Sequence, residues 1–345
     1  METFLGIDYP TLWYLVVGLL FSGYAILEGF DYGAGAWHLF LRKDLSRRIA
    51  INAIGPLWDA NQVWLIIGGG ALFAGFPVMY ATMLSAMYIP FMLFLMLLVL
   101  RSAAIKFRSA EEMKWWRKTW DIIYFVSNTL IGFLLGVVLG NVLQGFELHE
   151  NFEYKGGIFF SFLNPYALMV GLTTLSIFMT QGAIFLLLKT EGRLHDRLSF
   201  LLKKGMIFFI ISFAITSLYT LTFLHGVTDK FKEQPVFFAL PILAFLAVAN
   251  VPRLVSKKKY SHALIFSSLI MAFLLMLVAF QLYPVLLPST ISPDYSVTIY
   301  NAASSQKSLG IMLTIVLIGA PLLAGYFLFL YKTFHGKVKL DDTSY

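Results

Sequence analysis

The sequence predicts an all-α integral membrane protein, and three observations lead to this class. Hydrophobic residues make up 59% of the 345 residues and charged residues only 13%, whereas a soluble domain carries about 25% charged residues. The mean hydropathy is +0.76. The apolar residues form continuous runs of about 20, the length of a membrane-spanning helix, and not the shorter alternating segments of a barrel. We therefore expect one polytopic membrane domain over residues 1–345.

Nine apolar runs account for most of the chain. They lie near residues 12–35, 51–74, 79–101, 120–145, 163–188, 206–226, 236–254, 261–283 and 309–331. The first run lacks the basic flank of a signal peptide, so we expect it to be a retained span. The polar stretch 106–118 and its tryptophans suit the membrane interface. The long loop 284–308 is expected to pack on the outer surface.

The lysine and arginine residues predict the orientation. Nine spans place the loops alternately on the two sides of the membrane. Of the 26 lysine and arginine residues, all but four fall on the same side, and the four exceptions are Lys155, Lys230, Lys232 and Lys307. By the positive-inside rule the rich side is cytoplasmic, so the N-terminus is outside and the C-terminus is cytoplasmic. The same distribution accounts for the net charge of +7, and we expect no nucleic-acid binding.

Residue types exclude several kinds of cofactor site. The chain has no cysteine, which excludes disulfides, iron–sulfur ligation by thiolates and cysteine zinc sites. Its histidines fall in loops or at the ends of runs, so we expect no haem and no metal bound by this chain. The six histidines are His38, His149, His195, His225, His262 and His335.

Charged residues of four consecutive spans fall in the same, cytoplasmic half. Glu28 and Asp31 lie three residues apart near the end of span 1, so they share a helix face. Asp59 is expected about 12 Å into span 2, at 1.5 Å per residue. Arg101 ends span 3 and Asp121 begins span 4. A carboxylate at membrane depth costs several kcal/mol, which indicates a function or a partner.

Two interpretations of these charges remain open. In the first, they are interface residues with one structural pair between Asp59 and Arg101. In the second, they form a proton-uptake route, because carboxylates, an arginine and amides at membrane depth are the usual parts of a relay. Asn61 and Gln62 beside Asp59 favour the second interpretation for that residue.

Glycines predict close helix packing. Gly132, Gly136 and Gly140 form a small-xxx-small face in span 4, which allows another helix to pack closely. The glycines within residues 29–35 likewise allow the backbone of a neighbouring helix to come close. The run 68–70 would weaken an isolated helix, so a neighbouring helix is expected to support it. Pro56 is expected to loosen the start of span 2.

Two longer motifs carry a resemblance to a known family. Residues 28–35 read EGFDYGAG and residues 52–64 read NAIGPLWDANQVW. With shorter matches from GGALFA at 69–74 to NAASS at 301–305, they resemble subunit II of cytochrome bd-type quinol oxidases. The matches follow one order over nearly the whole chain.

The resemblance implies an enzyme that oxidises membrane quinol and reduces dioxygen to water in the bacterial cytoplasmic membrane. It implies that the haems and quinol oxidation belong to a partner, subunit I, that this chain is haem-free, and that a small single-span subunit accompanies the two. In some members a quinone occupies a pocket in subunit II, at residues that this sequence does not identify. The family architecture is nine spans, as two four-helix bundles plus one peripheral helix.

The resemblance also implies roles for single residues. The family's proposed proton route crosses from subunit II into subunit I, and Asp59 and Arg101 stand at its positions. Glu28 matches an acidic position of the same motif. We therefore expect Asp59 to relay protons and Arg101 to adjust the proton affinity of the Asp59 carboxylate. Three neighbours are expected to order side chains and water: Trp58, Asn61 and Gln62.

One position departs from the family pattern. The acidic residue that commonly follows the arginine by five positions is Lys106 here. A lysine cannot serve as an anionic proton antenna. Proton entry is therefore expected to shift to Glu28 or Asp31, or else the main route lies in subunit I.

Two alternative classes also fit a buried carboxylate cluster. A proton-coupled secondary transporter needs one, but transporters commonly show inverted repeats and sites at the bilayer midplane. No repeat is detectable here, and the charges lie on one side. A purely structural scaffold would show the same glycine pattern. Spans 1–4 are expected to face the partner, because the polar cluster needs a protected neighbour.

Overall fold

The computed structural model describes residues 3–157, 159–223 and 229–340. His225 and the end of the predicted run 206–226 lie outside the described residues. The helices are α1 (Tyr9–Ala36), α2 (Asp44–Ile54), α3 (Trp58–Gly75), α4 (Pro77–Ala86), α5 (Tyr88–Phe107), α6 (Lys114–Gln144), α7 (Pro165–Lys189), α8 (Gly192–Phe223), α9 (Asp229–Glu233), α10 (Ala239–Ser256), α11 (Tyr260–Leu282) and α12 (Gln306–Thr333). Two small antiparallel hairpins pair β1 (Thr3–Phe4) with β2 (Ile7–Asp8) and β3 (Val285–Leu287) with β4 (Val297–Thr298).

The helices confirm a multi-pass membrane protein. In the described part of the chain, eight helices are long and apolar enough to cross a membrane: α1, α5, α6, α7, α8, α10, α11 and α12. Helices α3 and α4 meet this criterion only as a pair, and they are bent by 116° to each other. A total of nine therefore holds only if the bent pair forms one span.

The predicted bounds of spans 2 and 3 were wrong. The helix of span 2 begins at Trp58 and not near residue 51, and the next full-length helix begins at Tyr88 and not near residue 79. Gly55 and Pro56 separate α2 from α3, and Pro77 begins α4, because proline has no N–H for the helical hydrogen bond. The expected effect of Pro56 is confirmed. The break at Gly55 and Pro56 lies inside the predicted run 51–74, so hydropathy alone did not locate it, whereas the break before Pro77 falls in the gap between the predicted runs 51–74 and 79–101.

Helix α7 lies at the centre of the molecule, where it packs against α1, α6, α8 and α11. The predicted glycine faces make this packing close. A Cβ atom on Gly136 would lie 2.7 Å from the Cα atom of Gly171, and one on Gly140 would lie 2.7 Å from the Cα atom of Ala167. A Cβ atom on Gly33 would overlap the backbone of α7. The predicted close contact of backbones is confirmed.

A neighbouring helix supports the glycine run in α3, as predicted, but on one side: α1 packs along α3. Gly68 lies beside the ring of Phe21 of α1, but a Cβ atom on Gly69 or Gly70 would meet no atom within 4 Å in the described part of the chain. Helix α1 therefore supports the face of α3 that carries Gly68, and among the described residues nothing covers the positions of Gly69 and Gly70.

The two long loops at the predicted outer end pack on each other. The N–H of Phe146 donates to the Pro288 carbonyl at 2.8 Å, and the Phe146 carbonyl accepts from the Thr290 N–H at 2.9 Å. Leu148 and Leu287 are fully buried in the apolar cluster that the loops share with the ends of α1 and α12. The packing of 284–308 is confirmed, and its location on the outer surface stays a prediction.

Candidate functional site

The centre of the site is the last third of α1, which carries two carboxylates into the interior. Helix α1 begins at an N-cap, where the Asp8 side chain accepts from the Thr11 N–H at 3.0 Å. Glu28 and Asp31 lie one turn apart and are fully buried. Gly29 and Gly33 on the same helix let α7 approach, so the bundle closes around the carboxylates.

Arg101 of α5 reaches both carboxylates. Its Nη1 lies 2.8 Å from Glu28 Oε2, and its Nη2 lies 3.7 Å from Asp31 Oδ2. The guanidinium also lies over the rings of Tyr32 at 4.6 Å and Trp58 at 5.8 Å. All three charged side chains are fully buried, and the aromatic rings add a favourable cation–π contact.

Two further helices complete the polar cluster. The Nδ2 of Asn61, from α3, donates to Asp31 Oδ2 at 2.9 Å. The hydroxyl of Tyr331, from α12, donates to Asn61 Oδ1 at 2.9 Å. Four helices that are distant in sequence therefore meet at this site.

The charges of the cluster do not balance if both carboxylates are ionised. Glu28, Asp31 and Arg101 then carry one net negative charge in a fully buried position. An unpaired buried charge is expensive, because the interior does not replace its hydration. The single guanidinium can therefore balance the charge of only one of the two carboxylates.

Asp59 lies beside this cluster and not inside it. It occupies the first turn of α3 and is exposed on this chain. The expected depth of about 12 Å was counted from residue 51, whereas the helix that carries Asp59 begins at Trp58, so the depth of Asp59 in the membrane stays a prediction. The expected ion pair with Arg101 is wrong, since Arg101 pairs with Glu28 and Asp31.

The three predicted supporting residues separate into different environments. Trp58 is buried, with Arg101 near its ring and Lys106 Nζ 5.7 Å from the ring centre. Asn61 belongs to the buried cluster. Gln62 is half-buried, and its side chain forms no hydrogen bond within the described residues.

Asp121 belongs to a second charged cluster at the predicted cytoplasmic end. Its carboxylate contacts His38 Nε2 at 2.5 Å, Arg108 Nε at 2.6 Å and Arg47 Nη1 at 2.9 Å. Arg108 continues to Asp44 at 2.5 Å. These pairs connect the end of α1, α2, the end of α5 and α6, which supports the structural interpretation of Asp121.

Sequence reasoning missed the tyrosines of the site. Tyr331 lies 270 positions from Asn61 along the chain, and no motif connects them. The hydroxyls of Tyr24 and Tyr32 lie 2.5 Å apart, and the buried hydroxyl of Tyr124 has no hydrogen-bond partner within the described residues. Two signals were available: Tyr32 lies within the motif at residues 28–35, and its spacing of eight residues from Tyr24 is close to two helical turns.

Among the described residues there is no group of three or more His, Asp or Glu side chains that could hold a metal ion. The fold and the buried cluster define a multi-pass helical membrane protein with an internal ionisable site, which is the usual arrangement in proteins that pass protons or other cations.

Comparison with known proteins gives the family. The model of the family described as "Cytochrome bd terminal oxidase subunit II" matches residues 9–334, so the chain belongs to this family, as the sequence motifs predicted. It is a subunit of a respiratory terminal oxidase, which is an oxidoreductase, and a multi-pass protein of the bacterial cytoplasmic membrane.

Individual relatives cover nearly the whole chain. The chain is 32% identical to cytochrome bd-I ubiquinol oxidase subunit 2 of Escherichia coli K12, over 97% of each chain. It is 32% identical to cytochrome bd ubiquinol oxidase subunit 2 of Bacillus subtilis 168, over 95% of this chain and 96% of the relative. Its fold is similar to a chain of the bd oxidase of Geobacillus thermodenitrificans, with a TM-score of 0.75, 18% identity and 94% and 98% of the two chains covered.

Proposed function

We propose that this chain is the haem-free subunit II of a bd-type quinol:dioxygen oxidoreductase and that it contributes a cytoplasmic proton-uptake route. In this proposal a partner, subunit I, binds the haems, oxidises quinol and reduces dioxygen to water. This chain supports subunit I and has no redox chemistry of its own. Family membership supports the complex, and the buried charged cluster supports the proton route.

The proposed architecture is one polytopic domain over residues 1–345, with nine spans arranged as two four-helix bundles plus one peripheral helix. The bent pair α3–α4 counts as one span in this proposal. The N-terminus is outside and the C-terminus is cytoplasmic, in line with the lysine and arginine distribution. A small single-span subunit and membrane lipid complete the assembly, and a quinone pocket in this chain is part of the proposal without assigned residues.

In the proposed route, a proton arrives at the exposed carboxylate of Asp59 and passes to the buried pair Glu28 and Asp31. Arg101 lies between the two and reduces the cost of their charge. The observation that carries this proposal is that one buried guanidinium faces two buried carboxylates. In this proposal Asp59 is the entry group, and Glu28 and Asp31 are the internal relay, which reverses the roles expected from the sequence.

The test is Asp59→Asn in the intact complex. We expect oxygen consumption to fall by about tenfold or more at high pH, because positioned proton-transfer groups commonly contribute a hundredfold or more. The loss should shrink as the pH falls, because free protons then replace the entry group. The matched control is Glu111→Gln, which removes an exposed carboxylate on the same predicted side.

Haem content and complex yield should be unchanged in both variants. Normal turnover of Asp59→Asn at every pH would contradict the relay and favour a structural scaffold. The transporter alternative has no support, since the family and the relatives reported above are oxidase subunits. A reduced-minus-oxidised visible spectrum tests the haem assignment: bands are expected in the complex and not in this subunit expressed alone.

A further inference from the structure

A basic cavity lies at the predicted cytoplasmic end of the molecule and shares no residue with the buried cluster. Its volume is about 210 Å³, and it lies between the segment that follows α1 and the beginning of α8. Within the described residues, no acidic side chain lines it. Its four cationic side chains and two apolar floor residues are Arg42, Lys43, Arg193, Arg197, Leu41 and Leu194.

The cations of this cavity have no anionic partner among the described residues. Arg42, Lys43 and Arg193 are exposed, and they form no ion pair within the described residues. Nη2 of Arg197 donates to the Phe40 carbonyl at 3.3 Å, which attaches the first turns of α8 to the end of α1. Four cations around one small cavity make a positive potential that favours an anion.

An exposed apolar face continues from the cavity along α8. Phe200, Ile207, Ile211 and Leu218 are 51%, 55%, 54% and 65% exposed. Spacings of seven and four residues keep them on one face of the helix. Arg193, seven positions before Phe200, lies on the same face. The face therefore begins with a cation of the cavity and continues with apolar side chains.

The aromatic residue at this junction is flanked by charge. The guanidinium of Arg197 lies 5.5 Å from the ring centre of Phe200, and Lys204 Nζ lies 5.6 Å from it. Such an arrangement is typical of the level of the membrane where headgroups meet acyl chains.

The length of α8 places the cavity at this level. Its 32 residues extend about 48 Å at 1.5 Å per residue, whereas the hydrocarbon core is about 30 Å thick. The first turns of α8, with Arg193 and Arg197, therefore extend beyond the core into the headgroup region when the apolar face lies within it.

We propose that the cavity binds the phosphate of an anionic phospholipid in the cytoplasmic leaflet, with the acyl chains along the apolar face of α8. Arginine and lysine form strong charge-assisted hydrogen bonds to phosphate, and basic pockets between membrane helices on this side suit anionic headgroups. The cavity is smaller than a usual pocket for a complete organic ligand, which matches a headgroup whose chains lie outside.

The test compares two double variants of the intact complex. Arg42→Gln with Arg193→Gln removes two cations of the cavity, and Lys257→Gln with Lys259→Gln removes two exposed cations of another loop on the same predicted side. Binding is measured by native mass spectrometry in mild detergent with added phosphatidylglycerol. The same titration is made with phosphatidylcholine of the same acyl chains and with inorganic phosphate.

We expect about thirtyfold weaker binding of phosphatidylglycerol to the cavity variant, from the contribution of each basic side chain near an anionic surface. The control variant should bind like the unaltered complex. Equal weakening in both variants, equal binding of phosphatidylcholine, or binding of inorganic phosphate as tight as that of the lipid would each overturn the proposal. Since all four altered residues are exposed, both complexes are expected to assemble, and haem content verifies this.

Discussion

Arg101 is the residue on which the buried site depends. It is fully buried between Glu28 and Asp31, and its desolvation is offset by these carboxylates and by the ring of Tyr32. Replacing a whole buried ion pair by apolar groups is often tolerated, whereas removing one partner leaves an uncompensated charge. A substitution at position 101 should therefore change the stability more than a substitution at an exposed position of α5.

Arg101→Gln is expected to destabilise the complex by about 3–5 kcal/mol, because both carboxylates lose the one cationic partner that they have among the described residues. The measurement is thermal unfolding of the purified complex. Lys106→Gln, which changes an exposed cation of the same helix, serves as the control and should alter the midpoint little. Adding Glu28→Gln to Arg101→Gln should recover part of the loss. A midpoint of Arg101→Gln equal to that of the control would show that the buried pairs contribute no stability.

The residue types of the site could be predicted from the sequence, but its pairing could not. Motif and composition identified Glu28, Asp31, Asp59 and Arg101. The predicted partner of Arg101 was wrong, because one proline break moves the start of a helix and changes which side chains enter the interior. Contact between Asn61 and Tyr331, from helices 270 positions apart, depends on tertiary packing that no local pattern encodes.

At the scale of elements, the packing of α6 on α7 is set by small residues. Gly136 and Gly140 contact the backbone of α7 directly. Without a hydrophobic force between helices in lipid, such close contact supplies the van der Waals attraction that holds them together.

Gly140→Ala is therefore expected to destabilise the complex by about 1–3 kcal/mol, the usual cost of overpacking. The added methyl group would lie 2.7 Å from the Cα atom of Ala167, which is backbone and cannot rotate away. Gly319→Ala in α12, whose Cβ atom would meet nothing within 4 Å in the described part of the chain, should be neutral or stabilising by up to about 1 kcal/mol. Unfolding midpoints compare the two, and equal midpoints would contradict close packing as the role of Gly140.

The helices themselves were predictable to different degrees. Continuous apolar runs located α7, α11 and α12 within a few residues. The break between α3 and α4 falls in the gap between the predicted runs 51–74 and 79–101, but the bend of 116° between the two helices could not be found in this way, because hydropathy carries no information about helix direction. The length of an apolar run thus predicts that a membrane helix is present, but it does not predict the direction in which that helix runs.

For the whole molecule, the two ends of the bundle differ in chemistry. One end has the interlocked loops around Leu148 and Leu287, and the other has the charged clusters around Asp121 and the basic cavity. This asymmetry agrees with the orientation predicted by the positive-inside rule.

The absence of cysteine from the sequence allows a direct test of orientation. Single variants Lys257→Cys and Lys155→Cys place one thiol at each predicted side. In intact cells, a membrane-impermeant maleimide is expected to label this subunit at position 155 only, and at position 257 only after the membrane is opened. Labelling of position 257 in intact cells would reverse the orientation.

Helix α7 fills the space between α1 and α6, yet the ribosome completes both of those helices before α7 is synthesised. The glycine faces of Gly33 and Gly136, which contact α7 in the finished protein, have no partner during this interval. The growing chain must therefore keep an unsealed groove in the membrane from the completion of α6 at Gln144 until Lys189 has been added 45 residues later. Insertion machinery or lipid has to occupy that groove, so a chain arrested before residue 165 should crosslink to one of them from position 136, and a chain arrested well beyond residue 189 should not.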